Sequence, residues 1–214
     1  MKRKVLLLGV AVLLAVGAQA QTTWGVKAGV TMPKINYGIK GLPLGMTFDS
    51  QESNVSFYAT GFADIALSKK FSLQPGLSYQ GKGGKTTAVE EDETTKLVNN
   101  FGYIEVPVNL VYYIKAGDGK IFLGAGPYVA YGIAGNRKTN KEKSEKISWG
   151  NDKDVKPLDI GLNTMFGYKL SGGFLINMGY GMGFSNLLTK DDVAGILGLT
   201  AKNRVLSAGI GYNF

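Results

Sequence analysis

The sequence predicts an all-β fold, an eight-stranded antiparallel up-and-down transmembrane β-barrel preceded by a cleaved signal peptide. Three observations indicate it. Hydrophobic residues alternate with a period of 2 from Trp24 onwards, the second face of most strands is small or polar, and short connections alternate strictly with long ones. Glycine contributes 31 of the 214 residues, a share typical of strands, bulges and close backbone contacts.

The first predicted element is an export signal. Basic residues 2–4 precede a 14-residue apolar run, and Ala18 and Ala20 form a small-x-small cleavage site before Gln21. The alternative, a membrane-spanning helix, needs about 20 apolar residues, and this run is shorter. The sequence therefore divides into a signal peptide, residues 1–20, and a single barrel domain, residues 21–214.

Eight segments then alternate between a bulky apolar face and a small or polar face. In chain order they are residues 24–30, 55–65, 71–80, 104–113, 121–132, 158–167, 174–181 and 205–214. The last is the clearest, and its bulky face carries Leu206, Ala208, Ile210, Tyr212 and Phe214. Because the opposite faces are rich in glycine, serine, asparagine and glutamine, we expect them to line the crowded interior of a small barrel, with the bulky faces towards lipid.

The connections predict the orientation of the barrel. Those at residues 68–70, 115–119 and 169–173 are short, whereas those near residues 33–54, 82–98, 134–157 and 185–202 are long. Outer-membrane barrels have short periplasmic turns and long extracellular loops, so both termini are expected in the periplasm. Aromatic residues then form two interfacial bands. The periplasmic band holds Trp24, Phe71, Tyr112, Phe166, Phe174 and Phe214, and the outer band holds Phe57, Tyr79 and Tyr131.

Several strand sequences are similar to a known family. Residues 103–110 (YIEVPVNL), 124–132 (GAGPYVAYG), 159–162 (DIGL) and 211–214 (GYNF) resemble the eight-stranded outer-membrane β-barrel domain proteins of Bacteroidetes, the PorT-like or porin-family group. The resemblance covers residues 21–214 and contains no catalytic motif. It implies that the barrel-assembly machinery recognises the last strand, through Ile210, Tyr212 and Phe214. One branch of this group is linked to protein secretion, and no segment here points to that branch.

Composition excludes several kinds of chemistry. The chain has no histidine and no cysteine, which excludes disulfides, thiol nucleophiles, histidine triads and zinc sites built on these residues. The formal charge of +8 includes three basic residues of the signal, and without them 21 basic and 16 acidic residues leave +5. No basic stripe with interleaved aromatic residues is present, so nucleic acid is not an expected partner. No cofactor and no enzymatic activity are predicted.

Five charged side chains share the inward parity and form a predicted interior polar cluster. They are Lys27, Asp64, Glu105, Asp159 and Lys169. Two neighbouring carboxylates could serve as acid and base, but a lone buried charge is costly, so we interpret the cluster as structural, with carboxylates paired to lysines. Residues 81–86 and 90–93 are interpreted as loop segments, because neither has the spacing of a phosphate-binding loop or a cation site.

These observations favour a non-enzymatic integral outer-membrane protein of a Gram-negative bacterium, acting in envelope structure or in interactions through four extracellular loops. The alternatives are a subunit of an outer-membrane secretion machine, a small-solute pore, a lipid-modifying barrel enzyme and, structurally, a soluble periplasmic β-sandwich. Because Gln74, Tyr113, Phe122 and Tyr128 face inwards, an open channel is not expected. Expected partners are outer-membrane lipid or lipopolysaccharide, the assembly machinery and an unidentified envelope or extracellular protein. Residues 137–156 mix seven basic with four acidic side chains, so they are interpreted either as a contact with lipopolysaccharide or as a solvated loop.

Overall fold

The structure, a computed structural model, describes residues 22–39, 47–48, 51–90, 93–139, 142–150, 153–189 and 199–214. The long strands among these residues are β1 (Thr22–Ile39), β4 (Ser56–Ala66), β5 (Phe71–Glu90), β6 (Glu93–Ala116), β7 (Gly119–Thr139), β9 (Leu158–Lys169), β10 (Phe174–Gly183) and β11 (Leu199–Asn213). The short strands are β2 (Thr47–Phe48), β3 (Gln51–Glu52) and β8 (Glu142–Lys146). The same residues include no helix that is long and apolar enough to cross a membrane.

The eight long strands pair into a closed antiparallel ring. Each pairs with the next long strand along the chain, and β11 pairs with β1 from Gly25–Asn213 to Ile39–Leu199. Closure pairs both edges of the sheet, which is the arrangement that an all-β protein needs inside a bilayer. The predicted eight-stranded up-and-down barrel is therefore confirmed, whereas the predicted signal peptide, with Ala18 and Ala20, lies outside the described residues.

Side chains alternate between the outside and the lumen, as the period of 2 predicts. The outer face exposes large apolar side chains, among them Val26, Phe57, Leu77, Ile104, Val129, Ile160, Ile176 and Ile210. The lumen buries polar and small ones, among them Ser78, Glu105, Asn109, Asp159, Asn177 and Asn203. An apolar exterior around a polar interior reverses the arrangement of a water-soluble protein, so the outer face is the one that lipid covers.

The short connections lie together at one end of the barrel, which we call the turn end. Residues 67–70, 117–118 and 170–173 join the long strands there. Both ends of the described chain lie at this end as well, because the backbone N–H of Phe214 donates to the carbonyl of Trp24 at 2.7 Å. The opposite end, where the other connections lie, is the loop end.

Strands β5 to β7 extend further towards the loop end than the sequence predicts. Residues 82–98 were expected to form a long loop, but β5 and β6 pair as far as Glu90 and Glu93, which leaves residues 91–92 between them. Strand β7 likewise reaches Thr139, and β1 reaches Ile39. The expectation was wrong because the glycines of residues 81–84 suggested a turn, whereas the structure pairs them with residues 99–102 within the ladder, with Gly83 at a positive φ of 119°.

Candidate functional site in the barrel lumen

Lys82 of β5 lies at the centre of a buried ion-paired cluster in the lumen. Its Nζ is 2.8 Å from Glu105 Oε2 on β6 and 3.0 Å from Asp159 Oδ2 on β9, and the three side chains are at most 2% exposed. The ring centroids of Tyr103 and Tyr128 lie 5.1 and 4.1 Å from the same ammonium group. Two carboxylates and two aromatic faces therefore compensate for the loss of water around this charge.

Neutral donors hold both carboxylates of this cluster. Asp159 Oδ2 also accepts hydrogen bonds from the Tyr128 hydroxyl at 3.1 Å and from Asn203 Nδ2 at 2.9 Å. Glu105 Oε1 accepts one from Asn163 Nδ2 at 3.0 Å. Together with Lys82, these donors come from four strands, so the cluster cross-links the barrel through its interior. We call these residues the charged cluster: Lys82, Glu105, Asp159, Tyr128, Asn163 and Asn203.

Asp64 belongs to a second polar group, nearer the turn end. The Tyr113 hydroxyl donates to Asp64 Oδ2 at 2.6 Å and accepts a hydrogen bond from Gln74 Nε2 at 3.0 Å. Asp64 and Gln74 are buried. A phenol placed between an amide and a carboxylate donates its only proton to the charged partner, which makes this the stronger type of hydrogen bond.

Lys27 and Lys169 complete this turn-end group. The ammonium of Lys27 lies 4.5 Å from the centroid of the Phe62 ring. The ammonium of Lys169 donates a hydrogen bond to Asn213 Oδ1, and Asn213 in turn donates to the Trp24 carbonyl at 3.0 Å. The free volume among these side chains is only about 10 Å³, so the turn end of the lumen is packed.

The structure thus divides the five residues of the predicted interior cluster between two groups. Glu105 and Asp159 meet around Lys82, whereas Asp64, Lys27 and Lys169 lie in the turn-end group. Sequence reasoning missed Lys82 because it assigned this residue to a loop. The signal was present, since the even positions of β5 from residue 72 to residue 80 face the lumen and Lys82 continues that alternation.

A polar cavity of about 80 Å³ separates the two groups. Its lining includes Ser78, Asn109 and the pair formed by Tyr58 and Asn177, which are linked at 2.9 Å between Asn177 Nδ2 and the Tyr58 hydroxyl. A water molecule occupies about 30 Å³ of liquid, so the cavity has room for only a few waters. In the parts of the chain that the structure covers, no three acidic, histidine or cysteine side chains group as a metal site would need.

Apolar side chains close the lumen at the loop end. Trp149 packs edge-on against Phe101 and Tyr103, with ring centroids 5.6 and 5.4 Å apart. A Cβ added at Gly132 of β7 would overlap the Trp149 ring, so this glycine allows the indole to lie against the barrel wall. The side chains that reach inwards from the connections are named the plug: Ile147, Trp149, Val155, Leu187 and Leu188.

The outer face carries the two predicted aromatic bands and the predicted assembly residues. Phe57 and Tyr79 stack at 5.0 Å towards the loop end, and Phe174 meets Tyr212 at 5.4 Å near the turn end. The assembly residues are Ile210, Tyr212 and Phe214, all exposed on this face of β11 and just beyond it. They are therefore accessible from the membrane side of the barrel.

Comparisons with known proteins give one family match and several similar solved structures. The family described as "Outer membrane protein beta-barrel domain" matches residues 18–189. No curated protein matches the chain. Solved structures similar to it include the attachment invasion locus protein Ail of Yersinia pestis, at 14% identity, with 90% of this chain and 98% of that chain covered and a TM-score of 0.41. They also include the outer membrane protein OprG of Pseudomonas aeruginosa, at 14% identity, 91% and 97% coverage and a TM-score of 0.47.

The family match spans most of the chain and includes seven of the eight strands of the closed ring. The ring, its apolar outer face and its polar lumen are the features that this family requires in the outer membrane. The protein is an outer-membrane protein, and the chain belongs to the outer membrane protein beta-barrel domain family.

Proposed function

We propose that the protein is a non-enzymatic, non-conducting barrel that acts in envelope structure or in interactions made by its loop end, with both termini in the periplasm. The placement among PorT-like barrels of Bacteroidetes is part of this proposal and rests on the sequence segments quoted above. In rigid barrels whose connections lie outside the cell, the strands commonly form the scaffold and the loops form the binding surface.

The closed lumen is the observation that carries the proposal. Along the axis, the turn-end group, the polar cavity, the charged cluster and the plug follow one another. A solute would have to break the contacts of Lys82 with Glu105 and Asp159, which are buried and ion-paired. This arrangement argues against the alternative of a small-solute pore.

The same geometry argues against acid and base catalysis by the lumenal carboxylates. Three of the four oxygens of Glu105 and Asp159 accept hydrogen bonds or ion pairs from Lys82 and neutral donors. The plug separates both groups from the loop end, so no substrate of ordinary size reaches them. We therefore assign these carboxylates a structural role in stabilising the barrel.

Planar-bilayer recording tests the closed lumen. The purified, refolded protein should give no stable conductance step, because the turn-end group, the charged cluster and the plug lie across the lumen. The matched variant Trp149→Ala removes the largest plug side chain and leaves the charged cluster in place, so it should stay closed as well. Reproducible openings of the unmodified protein would instead establish a pore and overturn the proposal.

Single-cysteine labelling tests the orientation, because the natural chain has no cysteine. Ser144→Cys places a thiol on an exposed residue of β8 at the loop end, and Ser68→Cys places one in a turn at the turn end. A membrane-impermeant maleimide should label Ser144→Cys on intact cells and Ser68→Cys only after lysis. The reverse pattern would place the loop end in the periplasm and contradict the proposal.

A further inference from the structure

The outer face of the barrel changes from apolar to polar side chains beyond the aromatic band at the loop end. Tyr79, Ile104 and Tyr131 form one cross-strand row on β5, β6 and β7, and all three lie on the lipid side. Two positions nearer the loop end on β6, Gly102 pairs with Gly81 of β5. The next rows on this face are polar and then basic, because partners in an antiparallel ladder project from the same face.

The polar row is a ladder of asparagine side chains. Asn54 Nδ2 donates to Asn100 Oδ1, and Asn100 Nδ2 donates to Asn136 Oδ1 at 3.1 Å. Asn100 and Asn136 are cross-strand partners on β6 and β7. Each amide has more donor and acceptor positions than one link uses, so the ladder presents a row of amide groups that can bind hydroxyl and phosphate oxygens.

The basic row lies directly beyond the ladder. Val98 of β6 has Lys85 of β5 as its partner on one side and Lys138 of β7 on the other. Two strand spacings separate these lysines, about 10 Å between their backbones. Lys96 lies on the same face of β6, two residues nearer the loop end than Val98. Lys146 of β8 is the cross-strand partner of Asn136. Lysines from four strands therefore surround one apolar residue.

An acidic side chain, Glu52, contacts one of these lysines. Glu52 of β3 is the cross-strand partner of Lys85 and accepts a hydrogen bond from it. This hydrogen bond and the charges of Lys85 and Lys96 lower the pKa of Glu52. Several lysine side chains thus lie close together on neighbouring strands of this face, and like charges on neighbouring strands destabilise a sheet. We call this surface the amide–lysine patch: Glu52, Asn54, Lys85, Lys96, Asn100, Asn136, Lys138 and Lys146.

The height of the patch indicates which anion can reach it. Lys85 lies six residues beyond Tyr79 on β5, which is about 20 Å along a strand and about 14 Å above the aromatic band for a strand tilted by about 45°. Side chains on the lipid side at this height face sideways into the headgroup layer and away from the axis of the barrel. Phosphate groups attached to sugars are the anions of that layer in an outer leaflet.

We propose that the amide–lysine patch binds the phosphorylated saccharide headgroup of a lipopolysaccharide molecule. The lysines contact phosphate groups and the asparagine ladder contacts sugar hydroxyls. This inference rests on the proposed orientation, because only then does the patch lie in the outer leaflet. It deepens the proposed function by naming a ligand for the loop end.

Titration of the refolded protein with rough lipopolysaccharide in zwitterionic micelles tests the proposal. The variant Lys85→Gln/Lys138→Gln/Lys146→Gln should bind about tenfold more weakly, because three charge-assisted contacts become neutral. The control Lys69→Gln/Lys70→Gln/Lys115→Gln removes three exposed lysines at the turn end and should bind like the natural chain. Both variants should keep the heat-dependent gel shift of a folded barrel, since every altered side chain is at least partly exposed.

Two further arms identify the source of the anion. Dephosphorylated lipopolysaccharide should bind weakly to the natural chain. A soluble polyanion such as heparin should also bind more weakly, because acyl chains hold lipopolysaccharide in the same micelle as the barrel and so raise its effective concentration at the patch. Equal binding of heparin would overturn the assignment to lipid, and equal binding by both triple variants would overturn the patch itself. The assay does not depend on conductance or on topology in cells, so its failure is distinguishable from a failure of the proposed function.

Discussion

Lys82 of β5 contacts Asp159 of β9 through the lumen, with 3.0 Å between Nζ and Oδ2, although β6 and β7 lie between these strands in the sheet. The contact therefore joins two walls of the barrel that share no backbone hydrogen bonds. The same ammonium group also contacts Glu105 at 2.8 Å. The lumen is cross-linked by charge at the level where a channel would need to be open.

Replacing Lys82 with methionine should destabilise the barrel by about 3–5 kcal/mol, because removing one partner leaves buried carboxylates without their counter-charge. The measurement is the free energy of unfolding by urea in detergent, with the folded fraction at each urea concentration read from the heat-dependent gel shift. The matched control is Lys85→Met, which lies three residues along the same strand. Its partner Glu52 is exposed, so little change is expected. Similar losses from the two variants would contradict a special role for the buried lysine.

The Tyr113 hydroxyl should be a second point of stability, in the turn-end group. Tyr113→Phe removes the 2.6 Å hydrogen bond to Asp64 and leaves that buried carboxylate without its donor. We expect a loss of about 1.5–3 kcal/mol, the usual range for a hydrogen bond to a charged group. Tyr112→Phe is the control, since its ring packs against Phe71 on the outer face. An equal loss in the control would show that the lumenal hydrogen bond contributes nothing particular.

The ring and its lipid face could be predicted from the sequence, because a period of 2 assigns every second residue to one face. Ile210 and Tyr212 illustrate this, since their parity alone placed them outside. Lys82 illustrates the failure. The glycines around it are ordinary turn residues, and only the pairing of β5 with β6 shows that the ladder continues through them.

The plug could not be predicted from the alternation of side chains, for a different physical reason. Ile147 and Trp149 are in an irregular segment, where no periodicity relates position to direction. What places the indole is the space above Gly132, together with the rings of Phe101 and Tyr103. Such complementarity between a connection and a barrel wall depends on three-dimensional contacts, so the alternation within strands cannot reveal it.

Filling the space above Gly132 should expel Trp149 from the plug. Gly132→Val places a branched side chain where the indole lies, so the Trp149 fluorescence should shift to the red as the ring enters water. The other tryptophan of the chain is Trp24, which is exposed on the lipid face, so the experiment uses a Trp24→Phe background. Gly61→Val is the control, because a Cβ there meets no atom within 4 Å. An unshifted spectrum for Gly132→Val would show that the indole lies elsewhere.

Phe214 should matter for assembly in cells more than for the stability of the finished barrel. Its backbone N–H donates to the Trp24 carbonyl at 2.7 Å, and Phe214→Ala keeps that hydrogen bond while it removes a side chain that is 69% exposed. The expected result is a severalfold lower yield of heat-modifiable protein in the outer membrane, with refolding into detergent unchanged. Phe174→Ala removes another exposed aromatic side chain of the same rim and should leave the yield in cells unchanged. Equal yields for both variants, or an equal defect in refolding, would remove Phe214 from the predicted assembly signal and assign its side chain to lipid contact alone.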